Sequence, residues 1–219
     1  MALAARHRDT LLPTLPGMAG LRIHRERSAR AMALVQGKPE IEMQRRFGEG
    51  HRAYVATLDG EPAAFGWVAT SSARIGELAA TVTLPAGDRY LWNFVTMPRF
   101  RGRGIYPRLL EAIVRAESRV ARRFWILYAP ENRASGAGIG KAGFTTVADL
   151  SFDAEGRPAL RPLGAEVARV IARVFQVPQV DAPLAPCWRC VRAGASPAHA
   201  CRAGHCHCDY QRPELGCAG

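Results

Sequence analysis

The stretch from Tyr90 to Phe144 constrains the fold of this 219-residue chain more than any other. It opens with YLWNFVTMP, apolar on both faces, as expected of a strand covered by helices on each side. Alternation places Tyr90, Trp92, Phe94 and Thr96 on one face and Leu91, Asn93 and Val95 on the other. The basic turn RFRGRG follows, then the helix-length segment IYPRLLEAIVRAESRVA, a second apolar run RFWILYAP, and ENRASGAGIGKAGF. A strand that enters a glycine turn and then a helix is an anion site in outline. Glycine lets the backbone approach a ligand closely. The helix's first N–H groups, which lack partners inside the helix, point at the same spot.

Charge sharpens this reading. The chain carries a formal +11, and between Val95 and Trp125 eight arginines meet only Glu111 and Glu117. Charge concentrated at a glycine turn favours a bound phosphate group over a diffuse nucleic-acid face. The alternative is a general arginine bias decorating a solvated surface. The candidate anion site is Arg101, Gly102, Arg103, Gly104, Ile105 and Tyr106. The helix is expected to begin near Ile105 and to turn Leu109, Leu110, Ile113, Val114 and Val120 to the sheet. A nucleoside-triphosphatase loop is excluded because no Gly-Lys-Ser/Thr follows, and the glycine spacing is not that of a dinucleotide fold.

The remaining chain reads as three regions: a flexible leader over residues 1–20, one domain over 21–177, and a Cys/His-rich tail over 178–219. LRIHRERSARAMALVQG has helical spacing, with Leu21, Ala29, Met32 and Leu34 as anchors, although Leu21 to Ile23 also suits a short strand. Pro39 suits the first turn of a second helix, with Glu40 and Glu42 at its start, Arg45 and Arg46 at its end, and Ile41 and Phe47 facing inward. Asp59-Gly60 between two apolar runs predicts a hairpin. ARIGELAATVTLP is a further strand or edge. Two strands around Glu155-Gly156 precede an amphipathic helix in LGAEVARVIARVF, which caps the domain and leaves homodimerisation as a second use. No apolar run is long enough for a membrane helix, and no membrane partner is expected. Arg6, Arg8 and Asp9 break the apolar N-terminus too early to favour a secretory signal, so the expected location is the cytoplasm, and with all six cysteines after residue 186 the main domain needs no disulfides.

Two motifs in the central stretch resemble the GNAT-type (acyl-CoA-dependent) N-acyltransferase superfamily. Its Arg/Gln-x-x-Gly-x-Gly/Ala turn is matched by Arg101 and Gly104, with Tyr106 in place of the small closing residue. Its Asn-x-x-Ala/Ser … Lys-x-Gly-Phe stretch is matched by Asn132, Ser135 and Lys141-Ala142-Gly143-Phe144. The resemblance covers roughly residues 50–150. It implies an α/β fold with a mixed, mostly antiparallel central sheet flanked by helices and splayed fourth and fifth strands, here about 89–97 and 123–129. It also implies acetyl-CoA or another acyl-CoA bound at that splay, with Phe94, Val95 and Thr96 along the pantetheine arm, and an amine acceptor attacking directly. Asn132 would align a short helix near the cofactor arm, with Ser135 beside it. Glu77 is the first candidate base, and Asn93 could orient water but is no effective base. The usual tyrosine is replaced by Ile139, so Tyr128 or Tyr106 would have to protonate the thiolate.

His51 reads as structural, and Trp67, Trp92 and Trp125 as core or pocket walls. In the tail, Cys187, Cys190, Cys201 and Cys206 form one candidate zinc set. A tail without a role in turnover is the alternative. Competing functions are a non-catalytic acyl-CoA sensor, which the missing tyrosine favours, and a basic RNA-binding module, which lacks an aromatic platform.

Overall fold

A computed structural model describes residues 1–76, 80–182 and 184. The chain forms two compact units, one of Ala4–Ala73 with Thr83–Thr145, the other of Met1–Leu3, Arg74–Val82 and the described residues from Thr146 onward. The candidate turn lies in the first unit.

The first unit is built on β1 (Ala2–His7) from Ala4 onward and on the strands β2 (Leu21–Glu26), β3 (Arg52–Leu58), β4 (Glu61–Ala69), β7 (Asp88–Thr96) and β8 (Arg123–Tyr128). Their order across the sheet is β1-β8-β7-β4-β3-β2. The β2/β3, β3/β4 and β4/β7 pairs are antiparallel, and β7/β8 is parallel. The flanking helices are α1 (Ala29–Gln36), α2 (Glu40–Gly48), α3 (Ile105–Glu117) and α4 (Arg133–Lys141). The sheet is therefore mixed, largely antiparallel and helix-flanked. Period-2 alternation sorts its side chains into two cores. Tyr54, Ala56, Leu91 and Phe124 pack with Leu109, Leu110, Ile113 and Val114 of α3. On the other side, Ala53, Val55, Phe65 and Trp67 pack with Met32 of α1 and Met43 of α2.

Local chemistry explains the ends of these elements. Ser28 Oγ accepts from Ala31 N at 3.1 Å and caps α1, which Gly37 ends in the left-handed region. Asp59 and Gly60, both at positive φ, make the β3–β4 hairpin turn. Three sequence readings are corrected. Residues Ala2–His7 form a strand where a leader was expected, because Met1–Ala4 is an apolar run that is buried. The helical reading of the segment holds only from Ala29 onward, and the strand alternative at Leu21 to Ile23 is the one found, Leu21–Glu26 pairing with β3. Leu34, Ile41 and Val120 face solvent at 79%, 71% and 59% exposure, the inward places on α1 and α2 going to Met32, Met43 and Arg46.

In the second unit, β9 (Thr145–Phe152) and β10 (Pro158–Pro162) form the expected antiparallel hairpin, and α5 (Ala165–Val174) buries Ile171 and Val174. β5 (Ser72–Ile75) and β6 (Ala80–Thr83) form a two-stranded ribbon. No helix among the described residues is long and apolar enough to cross a membrane.

Candidate acyl-CoA site

β7 and β8 are pinned together at one end and free at the other. The buried Asp88 carboxylate accepts from Trp125 Nε1 at 2.8 Å and lies 3.6 Å from Arg123. Registered pairs run from Asp88–Arg123 only as far as Leu91–Ile126. β7 continues to Thr96 past the last pair. Parallel strands held at their start and unpaired beyond it leave a length of β7 edge for another extended chain to bond.

A β-bulge lies in that open length. On β4, Phe65 faces Val95 and Trp67 faces Trp92, so Gly66 alone opposes both Asn93 and Phe94. Asn93 adopts φ +50. The bulge overturns the strict alternation expected from sequence. Leu91 and Phe94 join the α3-side core, whereas Trp92 and Val95 join the core under α1 and α2. Gly66 is required here because a Cβ would come within 2.1 Å of the Phe94 ring. The Asn93 amide donates to Gln36 Oε1 of α1 at 3.4 Å, and Gln36 also accepts from Arg46.

Beyond Thr96 a short 3-10 turn, Pro98–Phe100, leads into the glycine turn and α3, which begins at Ile105 as the sequence indicated. Gly102 and Gly104 take φ +77 and +72, and a Cβ at Gly102 would meet nothing within 4 Å. Gly104 is the N-cap of α3 and offers no side-chain cap, so the helix's first N–H groups stay available to a ligand. Arg101 reaches back to the Thr96 carbonyl at 3.2 Å, and Arg103 lies over the Phe100 ring. Neither meets a carboxylate among the described residues. Backbone donors, open space and two cations fit a diphosphate.

Tyr106 and Tyr128 extend the wall. Tyr106 packs against Phe94 with ring centroids 5.6 Å apart. Burial raises its pKa above the usual phenol value, against the opposing hydrogen bond with Ser135. Asn132 Oδ1 accepts from Ser135 N at 3.0 Å and caps α4. The glycines of α4 make room for the two rings: a Cβ at Gly138 would lie 2.5 Å from Tyr106, and one at Gly136 3.0 Å from Tyr128. Ile139 is 2% exposed and belongs to the core. Sequence reading missed Arg6, whose buried guanidinium donates to the Ala142 and Gly143 carbonyls at the end of α4. That contact, as much as the φ of +79, is why residue 143 is glycine.

Behind the bulge sits a second cluster that the sequence did not announce. Arg46 is 5% exposed, paired with Glu42 at 2.5 Å, and stacked 4.7 Å from the Trp92 centroid and 5.1 Å from that of Trp67. Trp92 Nε1 donates to His51 Nδ1 at 3.1 Å. Burial lowers the His51 pKa, the nearby Glu49 opposing this and Arg46 and Arg45 adding to it. A neutral His51 accepting at Nδ1 carries its proton on Nε2, so its lone pair is spent and it cannot act as base. Glu77 and the tail cysteines Cys187, Cys190, Cys201 and Cys206 lie outside the described residues. Among the described residues no cluster of His, Cys, Asp or Glu is placed to hold a metal.

The acetyltransferase (GNAT) family model matches residues 21–144, more than half of the chain. The chain belongs to the GNAT family. Membership carries acyl-CoA-dependent acyl transfer. Solved GNAT structures are similar at low identity. An acetyltransferase from Streptococcus pneumoniae is 16% identical, with 59% of this chain and 88% of that one covered at a TM-score of 0.42. An aminoglycoside N-acetyltransferase in complex with CoA is 17% identical, with 64% and 97% covered at 0.48. The ribosomal-protein-S18-alanine N-acetyltransferase from Escherichia coli is 18% identical, with 63% and 88% covered at 0.45. Comparison with curated proteins finds no match.

Proposed function

We propose that this GNAT protein transfers an acetyl group from acetyl-CoA to a primary amine by direct attack. The observation that carries the reading is the parallel ladder that stops at Leu91–Ile126 beside a glycine turn with free helix N–H groups. Bound acyl-CoA would supply the acyl group as an activated thioester. Arg101, Gly102, Arg103, Gly104, Ile105 and Tyr106 would hold its diphosphate. The β7 backbone at Phe94, Val95 and Thr96 would align the pantetheine arm, with Asn132 and Ser135 fixing the facing helix. The bulge turns backbone N–H groups out of the β4 ladder, where they can polarise the thioester carbonyl. The amine must lose a proton, and Glu77 is the proposed acceptor through water, with Asn93 orienting that water. Tyr128 is the proposed donor to the departing sulfur. Tyr106 suits that role less well, because burial raises its pKa above the usual phenol value.

A non-catalytic acyl-CoA sensor is the second reading, favoured by the buried Ile139 where the resemblance puts a tyrosine. Calorimetric titration with acetyl-CoA and free CoA, followed by an amine assay on the same sample, separates the two. Transfer to no amine despite tight binding would leave the sensor standing. Reversing the two turn cations, Arg101→Glu with Arg103→Glu, is expected to weaken acetyl-CoA binding by at least about a hundredfold, because each charge-assisted phosphate contact is worth roughly 1.5–3 kcal/mol. Binding by the native protein should also weaken as salt rises. An unchanged Kd in the variant would rule out the turn as the diphosphate site.

Glu77→Gln tests the base. With Glu77 acting, the variant loses the acidic limb of the kcat/KM–pH profile and its turnover falls about a hundredfold or more. An unchanged profile rejects the assignment.

A further inference from the structure

On the basis of the transferase reading, we propose that the acceptor is a monoamine with one apolar body, an alkyl or aryl group, and that Leu34, Val35 and Met97 select it. An open surface depression of about 430 Å³ lies between the last turn of α1 and the exit of β7, lined by Leu34, Val35, Pro62, Met97, Pro98 and Arg99. It adjoins the bulge through both walls. On one side, Gln36, the residue after Val35, accepts from the Asn93 amide at 3.4 Å. On the other, Met97 follows directly on β7 and packs against both cores. An amine whose body occupied this depression would therefore lie on the α1 face of the strand whose edge receives the thioester.

The lining determines what that body can be. Five of its six residues are apolar, and the sixth, Arg99, is paired with Glu61 at 2.5 Å. The acids of the adjoining helix are engaged as well: Glu42 with Arg46 and Glu40 with Gln44. Among the described residues no carboxylate lines the depression to receive a second ammonium group, Glu77 being assigned to the reacting amine itself, and the chain's +11 charge repels one at longer range. A polyamine or an aminoglycoside thus gains nothing here that offsets desolvating its extra cations. Leu34, 79% exposed at the rim of the depression, gains on being covered by an apolar group. The volume falls in the range of small-molecule sites, enough for one ring or a short alkyl chain.

The test compares acetylation of 2-phenylethylamine, hexylamine, spermidine and kanamycin, read as free thiol and product mass, with acetyl-CoA affinity measured separately by calorimetry. The two monoamines are expected to show kcat/KM at least about tenfold above the polycations. Leu34→Asp changes an exposed side chain and should preserve the fold. It is expected to lower kcat/KM for 2-phenylethylamine about tenfold, mainly through KM, and to raise that for spermidine, with the acetyl-CoA Kd unmoved. Preference for spermidine or kanamycin, or an unchanged preference in Leu34→Asp, would overturn the acceptor class while leaving acyl transfer intact. Acetyl-CoA binding with transfer to none of the four amines would overturn the acceptor class and count against the transferase reading itself.

Discussion

Glu117→Gln should cost the protein about 3–5 kcal/mol of unfolding free energy at neutral pH, the range measured when one partner of a buried ion pair is removed. Glu117 is 1% exposed at the end of α3 and accepts from Arg52 Nη1 at 2.5 Å, Tyr54 OH at 2.7 Å and Arg89 Nε at 3.0 Å. Loss of the carboxylate strands the Arg89 guanidinium, itself 8% exposed, in the interior. Burial alone would raise the Glu117 pKa, but the hydrogen bonds from Arg52, Tyr54 and Arg89 outweigh it and hold the carboxyl below its ordinary value. The sign for stability follows. A carboxyl whose folded pKa lies below its unfolded value stabilises the fold fully above the unfolded value, near 4.3, and loses that contribution as pH falls through the folded one. Urea midpoints should therefore separate native and variant proteins widely at pH 7 and progressively less below about pH 4. Glu117→Leu combined with Arg89→Met should recover part of the loss, because the buried Arg89 cation goes with its partner and the partly exposed Arg52 can turn to water, leaving the Tyr54 hydroxyl as the buried group without an acceptor. A Glu117→Gln midpoint matching the native protein at pH 7 would refute the account.

Gly66→Ala is expected to cost about 2–3 kcal/mol, at the upper end for overpacking, and to weaken acetyl-CoA binding as well. A Cβ there would lie 2.1, 2.3 and 2.6 Å from three atoms of the Phe94 ring. The half-buried ring is hemmed on one side, since Tyr106 backs it and Tyr106 is itself seated on Gly138. The bulge at Asn93 and Phe94 is expected to open. Adding Phe94→Leu should restore stability, because the smaller side chain vacates the space. Thermal melting with and without acetyl-CoA measures both effects, and a single Gly66→Ala variant that melts with the native protein would remove the steric role assigned to Gly66.

The features legible in the sequence were those set by nearby residues. Asp59-Gly60, the start of α3 at Ile105, the Asn132 cap and the β9–β10 hairpin all follow from turn chemistry and helix ends within a few positions. Features decided across the sheet were not legible. The bulge arises because a glycine on β4 meets two residues on β7, and nothing within YLWNFVTMP announces a break in alternation. Arg46 reads as a helix-end cation, yet two tryptophans from different strands form its bed. The glycines of α4 stand where two tyrosines from elsewhere in the chain need the room. Leu34 looked like an anchor and faces out because Met32 already fills the inward place on α1.

The stacking of Arg46 on Trp92 also bears on how the protein can be observed. The indole lies one residue before the bulge, bonded at its nitrogen to His51 and covered by a guanidinium. Both contacts shape the electric field along the ring, and indole emission shifts with that field. The protein thus carries its own chromophore beside the proposed acyl-CoA site. Trp92 is one of four tryptophans, and a change in emission on adding acetyl-CoA would report occupancy of the proposed site without a label.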